Sequence, residues 1–257
     1  MRLFCIKVLC LATLIMFIIT GSAFTHEWVL KPQAWHTYKA GQNLPISLVS
    51  SHVFMKSAEL ENSANVEASY NGKAIELIPN RVYKSYDGMV QLESAGAAIL
   101  RGHRKGEVWS KTTKGMKKGD RSSLQGVIES RLYEKFCKTI LPVNGKSAGF
   151  DRIVGDLLEI VPVDDPFSIN PGEDLTVKII YKGQPISPEV TASYDGFSDN
   201  ANSYAYFTEP YDAGLAKIKL SAPGLWMVRV QYTADTKGPN YDKHVMRAVL
   251  VFPVQAK

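Results

Sequence analysis

The chain has 257 residues, 45% hydrophobic and 21% charged, a balance that suits a folded globular protein and excludes disorder, a coiled coil and a polytopic membrane protein. Thirty Lys and Arg against 25 Asp and Glu leave a net charge of +5, too mild to imply nucleic acid as a partner. Cys5 and Cys10 fall within residues 1–23, so Cys137 stands alone in the remainder and no internal disulfide framework is possible.

The first segment reads as an export signal. Arg2 and Lys7 supply a basic start, Val8 to Thr20 an apolar run, and Gly21, Ser22 and Ala23 the small residues before a cut. The run is short for a membrane span. Residues before Cys10 lack the small side chains that lipid modification requires. The protein is therefore expected to be periplasmic, exported and soluble after cleavage.

Short β-rich runs follow. Glu27 to Leu30, Leu44 to Val53, Asn65 to Tyr70, Lys73 to Ile78, Ala97 to Arg101 and Glu107 to Thr112 are each bounded by Gly, Asn or Pro. One helix is predicted at about 123–140. Leu124, Val127, Ile128, Arg131, Leu132, Lys135, Phe136 and Ile140 fall at helical spacing, with Ser122 or Ser123 as cap and Pro142 as stop. Such a helix would cover one sandwich or bridge two. The Lys111 to Arg121 stretch carries five cations and two glycines and reads as a solvated loop, an anion or partner site being the minority reading. Val161 to Pro166 holds two prolines and favours an extended connector. Beyond it, Leu175 to Tyr181, Ala216 to Leu220 and Trp226 to Tyr232 alternate apolar and polar residues between Gly- and Pro-containing turns. The expected fold is all-β: a signal peptide at 1–23, a β-rich sandwich at 24–160 containing the helix, and an immunoglobulin-like sandwich at 161–257.

No G-x-S-x-G, P-loop, H-E-x-x-H, dinucleotide-binding glycine pattern or C-x-x-C is present, which starts hydrolase and nucleotide readings low. Cys137, between Phe136 and Lys138, reads as a small packed thiol. The histidines are more informative. A cut after Ala23 makes the mature chain begin Phe24-Thr25-His26, whose amine, two amide nitrogens and imidazole can surround one Ni(II) or Cu(II) in a plane. A cut after Thr25 makes His26 the first residue, chelating through its amine and ring. His26 could equally flank a strand and bond a backbone carbonyl. His52 closes the Leu44 to His52 run and would approach His26 if that strand pairs beside Glu27 to Leu30. A cationic neighbourhood disfavours a metal at His103, while His36 and His244 are open.

Several segments in chain order carry a resemblance. They are His26-Glu27-Trp28 with Lys31-Pro32, Ser51-His52-Val53-Phe54, Tyr133 to Lys138, Gly155 to Pro162 with Asp165-Pro166, Tyr181 to Ile186, Gly224-Leu225-Trp226 and Val251 to Val254. As a set they resemble a bacterial exported family, labelled a domain of unknown function, that includes the periplasmic component of nickel and cobalt uptake systems. The resemblance implies a histidine ligand near the mature N-terminus, which falls on His26, with His52 the next match. Family members commonly place this histidine directly after alanine; here Phe24 and Thr25 intervene.

The leading expectation is a non-enzymatic periplasmic metal binder that takes Ni(II) or Co(II), with Cu(II) also fitting, and hands it to an inner-membrane transporter. The alternative is an exported adhesion or ligand-binding sandwich without metal, which the aromatic run Tyr194, Phe197, Tyr204, Tyr206, Phe207 and Tyr211 would serve. A copper-oxidase-like site with His26 at position one is the third reading.

Overall fold

A computed structural model describes residues 26–33 and 37–255. The export signal, Phe24 and Thr25 with their amine and amide, and His36 lie outside the described residues.

Eighteen strands occur among the described residues, in three sheets. The first sheet contains β1 (Glu27–Pro32), β2 (Asn43–Val53), β3 (Lys56–Glu59), β6 (Ile78–Asn80) and β7 (Ser85–Gln91), ordered β1-β2-β7-β6 with β3 paired to β2. The central sheet takes β4 (Val66–Tyr70), β5 (Lys73–Ala74), β8 (Gly96–Thr112), β9 (Gly115–Lys118), β10 (Val127–Val143), β14 (Val190–Tyr194), β15 (Tyr206–Thr208), β17 (Gly224–Ala234) and β18 (Lys243–Val254). The third holds β11 (Leu158–Pro162), β12 (Asp174–Tyr181), β13 (Gln184–Pro185) and β16 (Leu215–Lys219).

The central sheet runs β15-β14-β17-β18-β10-β8-β4-β5, so strands from both sides of the Val161–Pro166 connector share one hydrogen-bonded layer. The joint is β18 against β10, a parallel pair from Arg131↔Lys243 to Thr139↔Val251. Opposite faces of these two strands serve different cores. Cys137, Leu141, Val249 and Val251 pack with Trp28, Leu30, Leu44 and Leu48 of the first sheet. Phe136, Ile140, Leu250 and Phe252 pack with Ile160, Leu175, Val177 and Ile218 of the third. A strand covered on both faces has no polar side to show, and Val245–Val254 is buried throughout.

The predicted helix at 123–140 is not formed; among the described residues the only helical turn is a 3-10 turn at Ser63–Asn65. Residues 127–143 form β10, paired on both sides. Its Phe136–Val143 half is apolar or buried on both faces, which erases the period of two and mimics a helical stripe. The expected cap belongs to a turn: Asp120 Oδ1 accepts from the Ser122 and Ser123 amides at 2.9 and 3.1 Å. Gly126 then takes φ +65° and the strand begins. Pro142 does not stop it either, because β18 stops pairing at Thr139 and leaves no partner strand asking for the missing N–H.

β1 pairs with β2 on one edge. At its other edge two buried side chains of β10 take the place of a strand: the Leu30 amide donates to Cys137 Sγ at 3.1 Å and Thr139 Oγ1 donates to the Leu30 carbonyl at 2.6 Å. This fixes where β1 begins, and with it His26.

Candidate metal site

β1 and β2 are antiparallel, with Glu27 opposite Ser51. One step outward, His26 and His52 meet as cross-strand neighbours, their ring centroids 3.7 Å apart and tilted by 35°. β2 then turns back through Phe54 and Met55, the latter in the left-handed region at φ 68°, into β3. The β2–β3 register brings Glu59 opposite Ser50 and its carboxylate to 2.9 Å from His26 Nδ1.

The carboxylate is primed as an anion. Its hydrogen bond to His26 holds Glu59 at about 2, against an ordinary 4.5. Burial, reinforced by neighbouring His26, pushes His52 below its ordinary value, which favours the neutral imidazole. Two imidazoles and a carboxylate form a nitrogen-rich donor set that suits Ni(II), Co(II), Cu(II) or Zn(II) and not Mg(II). Among the described residues no three His, Cys, Asp or Glu side chains stand as a ready-made metal cage.

The strand ends carrying the pair are anchored from several directions. Glu27, buried beside His26, accepts from Arg229 Nε at 3.0 Å, and Arg247 Nη1 reaches the His26 carbonyl at 3.4 Å. The Asn202 amide donates to the His52 carbonyl at 2.9 Å, and Lys56 pairs with Asp199, so the segment after β14 clamps the hairpin. Beneath lies a buried row in direct register across three strands: Arg104 (β8), Lys135 (β10) and Arg247 (β18). Glu61 receives Lys135 Nζ at 2.9 Å, and burial pulls Lys135 below the usual lysine range.

The remaining histidines are elsewhere. His103 and His244 alternate onto the opposite face of the central sheet, where both contact Glu134, at 2.7 and 2.9 Å. The neighbours of the His103 ring are therefore carboxylates, Glu134 and at 3.6 Å Glu67, rather than the cations adjacent in sequence. The aromatic run is dispersed: Tyr194 packs on Trp226 and Phe197, Tyr204 reaches Glu27, and Phe207 and Tyr211 are exposed separately. Glu59 went unrecognised in the sequence because the turn that delivers it, Phe54-Met55, contains no Gly, Asn or Pro to mark a hairpin. Burial holds Cys137 up at about 12, so its thiol is inert.

The family described as "Domain of unknown function (DUF4198)" matches residues 23–234. No functionally curated protein matches. Among solved structures the chain is similar to the D0-D1 domain of intimin, at 12% identity over 89% of this chain and 98% of that one with a TM-score of 0.21. It is also similar to the human OSCAR ligand-binding domain, at 13% identity over 88% of this chain and 99% of that one, again with a TM-score of 0.21.

Proposed function

This chain belongs to the DUF4198 family, and we propose that it is an exported, non-enzymatic protein that captures a divalent transition metal at His26 and His52. The cargo is Ni(II) or Co(II), with Cu(II) also compatible, and the recipient is an inner-membrane transporter. The observation that carries the proposal is the His26–His52 contact at 3.7 Å with Glu59 held against His26. Imidazoles brought together by strand register are a pre-organised pair of nitrogen donors, and the chain's amine, if processing leaves it next to His26, adds a third.

Coordination requires neutral imidazole and a deprotonated amine, so affinity falls as the pH drops. The test is titration with Ni(II), Co(II) and Cu(II) of the exported protein, of His26→Ala, of His52→Ala and of a variant with one extra residue ahead of the mature terminus. Loss of tight binding is expected in His26→Ala, with weakening of about ten- to a hundredfold in His52→Ala. Sensitivity to the added residue would identify the amine as a ligand. Unchanged binding in all three variants would rule the site out.

A second reading, a metal-free ligand-binding sandwich, has one feature in its favour. A groove of about 600 Å³ lies on the outer face of the first sheet, lined by Lys31, Gln33, Tyr83 and Asp87 among others. A protein that binds no metal but retains a small ligand there would support this reading instead.

A further inference from the structure

The long central strands outrun the sandwich. β8 and β10 are 17 residues each, roughly 55 Å if fully extended, yet β4 covers β8 only at Tyr70–Val66 and β18 covers β10 only from Arg131 onward. Beyond those points β8, β9 and the start of β10 form a projecting three-stranded arm. Residues 105–131 hold seven Lys and Arg against three Asp and Glu, most of the net positive charge of the chain.

Register shows how the arm's faces differ. Ser110 and Ser130, both fully buried and hydrogen-bonded at 2.8 Å, lie on the face covered by residues 119–126, where Ser110 Oγ donates to the Gly119 carbonyl. On the other face Lys118, Trp109, Arg131 and Lys243 form one row across four strands, and Met116 and Lys111 pair in the next. Trp109 is 37% exposed, Met116 51%, and Ile128, beside the bulge that opens β10, 56%. Glu107, Glu129 and Asp242 are taken by Lys118, Arg131 and Arg121. Lys111 on the Trp109–Met116 face, Lys114 in the β8–β9 turn and Lys117, which pairs with Ser110 at the edge of the other face, are exposed, and among the described residues their ammonium groups have no acidic partner.

We propose that this arm docks on an anionic lipid surface. Uncompensated lysines around exposed Trp, Met and Ile are what such a surface selects: the ammonium groups meet headgroup charge while the apolar side chains enter the interfacial layer. A second copy is disfavoured because a positive face repels itself.

The test uses the chain from His26 onward, which contains every described strand and both cores and removes the apolar run at 8–20 as a rival anchor. Co-sedimentation is measured with vesicles of phosphatidylglycerol and phosphatidylethanolamine, and with vesicles of phosphatidylcholine. Binding to the anionic vesicles alone is expected, falling with salt, and falling about a hundredfold in Lys111→Gln/Lys114→Gln/Lys117→Gln. These lysines are exposed and outside both cores, so the variant should keep its unfolding midpoint. Because Cys137 is buried, Met116→Cys supplies a selectively labelled thiol. An environment-sensitive dye there should shift blue on anionic vesicles, and the same dye on Phe207→Cys, in the edge strand β15, should not. Equal binding to neutral vesicles, full retention in the triple variant, or a shift at position 207 would overturn the proposal. Binding to soluble polyglutamate with none to vesicles would overturn it too and assign the arm to an acidic protein; loss of a dimer in the triple variant without vesicle binding would assign it to a second copy.

Discussion

Glu134 sits between His103 and His244, 13% exposed, and joins three strands of the central sheet through one carboxylate. Burial works against its charge, yet the two imidazole contacts win and hold it at about 2 instead of 4.5. A carboxylate depressed on folding stabilises above its unfolded value, and that contribution disappears as the pH falls from 4.5 toward 2. Urea titrations near pH 6 and near pH 3 should therefore show Glu134→Gln losing about 2 kcal/mol less across that interval than the parent. An equal acid-side loss in both proteins would show that the pair of contacts does not act through this group. Lys138 and Glu159 make a stronger demand, being 3% and 2% exposed and 2.7 Å apart. The Val154 and Gly155 amides also donate to Glu159. Glu159→Leu strands an ammonium group and two amides and should cost about 3–5 kcal/mol in urea unfolding, whereas Lys138→Met leaves the carboxylate two donors and should cost less. His26 could be singled out in the sequence by its place just after the expected cut and His52 by its place at a strand end, and their meeting depended on β2 pairing beside β1, which it does. Glu59 could not be singled out, since its place depends on a turn with no turn residues. Glu159 sits within a strand-and-turn segment, and nothing local announces that a strand carboxylate will face a lysine from 21 positions upstream.

At the level of elements, β10 was the hardest to read and does the most. It contributes alternate side chains to two cores, pairs with β8 and β18, and completes β1 through Cys137 and Thr139. Strands with one wet face, such as β12 and β16, were legible by their period of two. A strand with a half, Phe136–Val143, wet on neither face was not, and the stripe of Leu124, Val127, Leu132, Phe136 and Ile140, which starts in the turn before it, matched a helix by coincidence of spacing. The sulfur of Cys137 here is a hydrogen-bond acceptor for a strand edge, a role that packing alone would not require. Cys137→Val keeps the volume and removes the acceptor, leaving the Leu30 amide unsatisfied, and should cost about 1–3 kcal/mol; Cys137→Ser should recover part of that. Hydrogen exchange at Leu30 reads the effect directly, and unchanged protection in Cys137→Val would show that the sulfur contact is incidental.

For the molecule as a whole, three sheets lie in layers and the middle one is common property. The all-β class and most strand positions could be read from alternation and turns, but the sharing of one sheet across residue 161 could not, because a parallel joint between β10 and β18 leaves no hairpin in the sequence. Calorimetry should record a single unfolding transition, and fluorescence melts of variants retaining only Trp28 or only Trp226, one in each core, should coincide with it. Two separated transitions would mean that the central sheet can be split along that joint. The joint has a further consequence in time. β18, the last of the described strands, sits in the interior of the sheet between β10 and β17, not at an edge. During synthesis the strands before residue 243 are left with a gap between β10 and β17, and neither core can close until β18 fills it.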